Sequence, residues 1–199
     1  MSAVRRRYRQ TARAASSEGL RQRIVDAFHD LLLARWIDEI TLDEVAASAG
    51  TTRQSVIRLF GGKEGVLEAV IEFVWAKAEP RLSLAQGVSR RSAVEAVVQH
   101  YENVGDMTFR LLAQEERHLA LRPQLEFGRR SHRAWIAERF APALEGLSAG
   151  DRERQITRLV VALDVYTWKP LRRDFGHTQN EVTALIEGMV TGITKGGMT

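Results

Sequence analysis

Cysteine is absent from this chain, which excludes disulfides, thiolate nucleophiles and cysteine-based zinc sites. No apolar run approaches the ~18 residues that a membrane span needs, and Leu31–Ala34 is too short to count. The basic start has no apolar stretch behind it, so it does not read as a secretory signal. The expected location is the cytoplasm, with no membrane partner. Alternating apolar and polar stretches bounded by hairpin turns are missing, and so is any internal repeat. No glycine-rich phosphate loop follows a strand, and no Ser/His/Asp order suggests a triad. Hydrophobic content of 44% and charged content of 27% are ordinary for a globular protein, so the 199 residues can bury a real core.

Charge is present but unevenly spread. Residues 1–23 carry Arg5, Arg6, Arg7, Arg9, Arg13, Arg21 and Arg23 against Glu18 alone, a net +6, which leaves −2 for the rest of a chain whose total is +4. A basic arm on a near-neutral body points to a polyanion as partner for one end of the molecule. Residues 1–18 have no hydrophobic period and read as a disordered arm. Its functional use would be insertion into a minor groove or along phosphates.

The stretch 41–67 is the most informative. Thr41 and Glu44 form a capping box, and Leu42, Val45, Ala46 and Ala49 make one helical stripe. Gly50 suits a sharp helix end. A second helix follows over 51–60, and small Ala46 and Ala49 let the pair cross closely, as a helix-turn-helix requires. Outward residues Thr52, Arg53, Gln54, Ser55 and Arg58 can all hydrogen-bond to phosphates or base edges. Thr41, Thr52 and Lys63 fit the role of positioning contacts on phosphates near helix starts. Arg53 and Gln54 fit base reading, since Arg pairs bidentately with guanine and Gln with adenine.

Elsewhere the spacing predicts an all-α chain of about nine helices. The first fits 19–35 with Leu20, Ile24, Ala27, Phe28 and Leu31. Gly62 can cap a fourth helix that Pro80 and the polar stretch 83–91 close. Ser92 and Glu95 read as a second capping box, Gly105–Asp106 as a break between the fifth and sixth helices, and Pro123 as the first turn of the seventh. Asp151 would begin an eighth helix running through Trp168, ended or kinked by Pro170. Thr178 and Glu181 form a third capping box, and Gly196–Gly197 ends the last helix. The last two helices are apolar on more than one face, which calls for cover on more than one side. A second subunit is the natural cover, so a homodimer through these helices is expected.

The residues Thr41, Leu42, Val45, Ala46, Ala49, Gly50, Thr51, Thr52, Ser55, Val56, Phe60, Lys63, Glu64 and Leu67 resemble, at fixed spacing, the helix-turn-helix of the tetracycline-repressor (TetR) family of transcriptional regulators. Two positions depart from the pattern: Ile57 stands at the family's usual Tyr, and Leu59 at its common His or Tyr. The resemblance implies three parts: a basic arm (1–18), a DNA-binding head (19–65) and a C-terminal ligand-sensing and dimerisation bundle (66–199). It implies double-stranded DNA with a pseudo-palindromic operator as partner, a small-molecule effector, repression as the commoner mode, and no cofactor or catalysis. Bulky and polar residues of the later helices, namely His100, Tyr101, Arg110, His118, Trp135 and Tyr166, are candidates for lining the effector site. Two other classes stay open at this point. One is a DNA-binding protein controlled by a partner protein instead of a ligand. The other is a metal-dependent bundle built on Glu115-x-x-His118, for which Asp26-x-x-His29 is the nearest second pair.

Overall fold

The computed structural model describes the backbone of residues 2–82 and 89–195, and the side chains of 16–73 and 89–195. Among the described residues the chain is helical throughout, with no strand. It forms two compact units, Met1–Ala76 and Lys77–Thr199. Val66, Leu67, Val70 and Ile71 are buried in the first unit, which therefore reaches beyond the boundary expected at residue 65.

The first unit contains α1 (Ser2–Ala34), α2 (Leu42–Ser48), α3 (Arg53–Phe60) and the start of α4 (Lys63–Leu82). The basic segment expected to be disordered is continuous with α1. Residues 2–18 contain no Gly or Pro and are rich in Ala and Arg, both good helix formers. Ile24, Ala27, Phe28 and Leu32 of α1 are buried, as are Val45 and Ala46 of α2, Ala49 at its C-cap, Val56 of α3 and the apolar stripe of α4, and α2 packs on both α1 and α3. The Thr41–Glu44 box closes as expected: Glu44 N–H donates to Thr41 Oγ1 at 3.2 Å and Thr41 N–H donates to Glu44 Oε2 at 2.8 Å.

Gly50 sets the turn between α2 and α3. Its φ is +64°, Thr51 N–H donates to the Ala46 carbonyl and Gly50 N–H to that of Ala47. That pair of bonds is a Schellman closure, which needs the left-handed backbone glycine adopts without cost.

The second unit contains α5 (Arg90–Ala113), α6 (Arg122–Arg139), α7 (Ala149–Ala162), α8 (Val165–Lys169) and α9 (Gln179–Lys195). Its core joins Val94, Val97, Val98 and Tyr101 of α5 with Trp135 and Ile136 of α6, Leu159 and Ala162 of α7, Trp168 of α8, and Val182, Ile186 and Val190 of α9. Pro123 lies in the first turn of α6, and Thr178 caps α9 with Glu181, both as the sequence indicated. Gly196–Gly197 lie outside the described residues.

Four expectations are corrected here. Gly105–Asp106 does not break a helix: α5 runs straight through. Gly105 is there because a Cβ would sit 2.5 Å from the ring of Trp168, so the glycine makes room for tryptophan, and Asp106 pairs with Arg173 instead of capping. The N-cap of α5 is Ser89, whose hydroxyl accepts from Ser92 N–H, while Glu95 is drawn to Arg91 one turn earlier. Asp151 is not the start of α7 but its N3 residue, held by Ser148 at the cap. Finally, the expected eighth helix is two. Asp164 ends α7 and caps α8 by accepting from Tyr166 N–H at 2.9 Å, and Pro170 opens a π-helical turn, Pro170–Asp174. That break turns Val165 and Trp168 into their own unit's core, where both are buried.

Candidate nucleic-acid interface

The exposed side of α3 is built by Arg53, Gln54, Ile57 and Arg58, while Val56 is fully buried beneath it. Thr52 caps the helix: its Oγ1 accepts from Ser55 N–H at 3.3 Å and lies 3.1 Å from Ser55 Oγ. Ser55 is half-buried and tied to that cap, so it points less toward solvent than its neighbours. Gly61 closes α3 in the left-handed conformation, its N–H donating to the Ile57 carbonyl at 2.8 Å.

Arg53 forms an ion pair with Asp43 of α2 at 3.6 Å, with both side chains well over half exposed. Such an exposed pair contributes at most ~1 kcal/mol, so it can aim the guanidinium without holding it from another partner. The Arg53–Asp43 pairing was not legible in the sequence, because ten residues and a turn separate the two.

The other end of the interface is anchored by carbonyl capping. Arg21 donates to the Leu59 carbonyl at 2.8 Å and stacks 4.4 Å over the Phe60 ring, and Arg23 donates to the Ala49 carbonyl at 3.3 Å. Cations at helix C-termini satisfy the last carbonyls and oppose the negative dipole end. Two of the seven N-terminal arginines therefore hold α2 and α3 to α1 instead of forming a free arm. The side chains of Arg5, Arg6 and Arg7 lie outside the described residues.

Thr41 is exposed, and its hydroxyl donates to Glu44 Oε2 at 2.8 Å as part of the cap of α2. Arg35 donates to Glu44 Oε1 at 2.7 Å and also to the Glu39 carbonyl. The Arg35 bond, followed by the Thr41 backbone and side-chain bonds, holds the Glu44 carboxyl down to about 2. Lys63 is half-buried at the first turn of α4. Burial pushes its ammonium below the ordinary value, against the pull of Asp38, Glu64 and Glu44. The structure thus brings Thr52, Arg53, Gln54 and Arg58 onto one helix, with Thr41 and Lys63 at the adjoining helix starts.

In the second unit the expected effector-site residues take different positions. Tyr101 and Trp135 are buried in the core, and the Tyr101 hydroxyl donates to the Leu163 carbonyl at 3.2 Å. Burial, then the charge of Asp164, pushes that phenol well up. Tyr166 is 53% exposed and meets Phe109 edge-on at 5.8 Å, while His100, Arg110 and His118 are half-buried. Glu115, considered above as half of a metal pair, instead accepts two hydrogen bonds from Arg129, at 2.8 and 3.0 Å.

Two polar groups that the sequence did not single out stand out in this unit. Gln114 is 3% exposed, and His132 is pushed below the ordinary imidazole value by burial. Gln114 Oε1 and His132 Nε2 are buried with no hydrogen-bond partner.

Comparison with known proteins places the same segment in context. The model of bacterial regulatory proteins, tetR family, matches residues 24–70. The chain is 45% identical over 58 residues to the HTH-type transcriptional regulator SrpR of Pseudomonas putida, covering 29% of this chain and 27% of that protein. It is 43% identical, also over 58 residues, to the uncharacterized HTH-type transcriptional regulator TtgW of Pseudomonas putida, covering 29% of this chain and 43% of that one. The alignments thus span well under two thirds of both relatives. A tetR-family transcriptional regulator from Streptomyces coelicolor has the same fold, with a TM-score of 0.75 at 15% identity, over 90% of this chain and 82% of that one.

Proposed function

We propose, from the premise that this chain belongs to the tetR family of bacterial regulatory proteins, that it controls transcription by binding operator DNA through α3 and releasing it when an effector binds. The observation that carries the reading is the exposed face of α3, where Arg53 and Gln54 stand ready for base edges on a helix whose other side is locked in the core. In the proposal Arg53 and Gln54 read bases, Ser55 makes a minor contact, and Thr41, Thr52, Arg58 and Lys63 sit on phosphates. Arg5, Arg6 and Arg7 add charge along the backbone or in a minor groove.

Dimerisation belongs to the same proposal. Between Glu181 and Lys195, which stand at its two ends, Ala184, Leu185, Gly188, Met189 and Gly192 form an exposed uncharged stripe of α9, and nothing lies within 4 Å of a Cβ added at Gly188 or Gly192. An uncharged stripe of that kind on an exposed helix suits self-association, and two-fold pairing would present two α3 helices to a pseudo-palindromic site. The effector site is assigned to the second unit on its unsatisfied interior acceptors. A buried acceptor without a donor costs ~1–3 kcal/mol, which a ligand donating hydrogen bonds to Gln114 and His132 would recover. His100, Tyr101, Arg110, His118, Trp135 and Tyr166 are its proposed neighbours. Repression is the mode proposed for the bound state.

The test is enrichment of duplexes from a randomised pool by the purified chain. A single enriched motif with two-fold symmetry supports the reading. Recovery of a pool with no sequence preference overturns it.

A further inference from the structure

Isoleucine is an unexpected residue in the middle of a polar recognition face. At about 100° per residue, and counting from Arg53, Ile57 lies at about 40°, Gln54 at about 100° and Arg58 at about 140°, while buried Val56 falls outside that arc at about 300°. Ile57 therefore stands between the two residues assigned to base reading. It is 42% exposed, so the core does not account for it.

We infer that Ile57 reads thymine, packing its side chain against the 5-methyl group in the major groove. This rests on the DNA-binding reading above and adds a third reading residue to it. The partner's chemistry follows from the surroundings. Arg53 and Arg58 on the same exposed face favour a polyanion, and on the major-groove edge of a duplex the thymine methyl is the one apolar group presented among donors and acceptors. A β-branched side chain on a helix is held largely in one rotamer, so little freedom is lost when it docks. Ile57 lies one turn beyond Arg53, ~6 Å along the axis, and base pairs stack ~3.4 Å apart. The thymine therefore falls within about two base pairs of the base that Arg53 contacts.

The experiment takes the duplex enriched by the wild-type chain and replaces each thymine, one at a time, by deoxyuridine, which removes only the methyl. Wild type, Ile57→Ala and Arg53→Ala are titrated against the set, with equal helicity and melting as the folding control. The expected result is one thymine per half-site whose methyl deletion weakens wild type about fourfold, the factor for one buried methyl, and leaves Ile57→Ala unchanged. Loss of binding in Arg53→Ala together with equal deoxyuridine sensitivity in wild type and Ile57→Ala overturns the thymine assignment alone. If no duplex is enriched at all, the DNA-binding reading falls and this inference with it.

Discussion

An alanine at Gly105 would place its Cβ 2.5, 2.7 and 2.9 Å from Cζ3, Cη2 and Cε3 of Trp168, closer than real Cβ atoms come to anything. The ring has nowhere to retreat. Trp168 is fully buried, its Nε1 donates to Glu102 at 3.0 Å, and the Arg173 guanidinium stacks 4.8 Å above it. Overpacking of this kind costs ~1–3 kcal/mol, and three ring atoms inside 3.0 Å put this case at the upper end. Against it stands the helix preference for alanine over glycine, ~1 kcal/mol in a helix interior. The net expectation is a loss of ~2 kcal/mol, the difference of those two terms. With a urea m-value near ~2 kcal/mol/M, the unfolding midpoint followed by tryptophan fluorescence should fall by about 1 M. Gly19→Ala, where nothing lies within 4 Å, should shift stability the other way. On a Trp168→Phe background, which removes the outer ring, Gly105→Ala should cost less than on wild type. A neutral or stabilising Gly105→Ala would refute the argument, because propensity alone would then explain the position.

Three further expectations concern other parts of the molecule. Glu44 has a folded-state value held near 2 against an ordinary 4.5, so the stability it contributes is complete above 4.5 and is lost as pH falls from there toward 2; Glu44→Gln should remove that window from the acid unfolding of the head, and identical acid profiles by circular dichroism would contradict the assignment. Deleting residues 1–17 should weaken DNA binding and flatten its salt dependence by about 0.9 in log–log slope for each phosphate contact removed; parallel salt curves would show that the arm does not touch DNA. Leu185→Arg on the apolar face of α9 should convert a dimer to a monomer in sedimentation, and an unchanged mass would place the interface elsewhere.

The head was legible because its signals are local. A capping box at Thr41–Glu44, a glycine turn at Gly50 and an apolar stripe all lie within one window, and each describes backbone geometry that neighbours alone decide. The second unit was less legible where a distant partner decided the outcome. Gly105 reads as a breaker until Trp168, far along the chain, is seen to need its missing Cβ. Asp164 reads as mid-helix until its carboxylate is seen to cap α8. Likewise Arg21 and Arg23 look like part of a basic arm, yet they hold the carbonyl ends of α3 and α2. Leu20 to Leu31 gave the face of α1, but which of two adjacent leucines, Leu31 or Leu32, is fully buried depended on the helices packed over it. Composition could not indicate the interior acceptors of Gln114 and His132, since burial of a polar side chain is a property of the packed unit.

The central claim is that the exposed face of α3 reads base sequence. It is tested most directly by titrating the enriched duplex and an unrelated duplex of equal length with wild type, Arg53→Ala and Gln54→Ala at fixed salt. A good bidentate base contact is worth ~1–3 kcal/mol of discrimination, so each variant should lose roughly five- to 150-fold on the enriched duplex. Affinity for the unrelated duplex should barely change for Gln54→Ala and fall only modestly for Arg53→Ala, which gives up a charge. Equal losses on both duplexes, or none on either, would contradict the account.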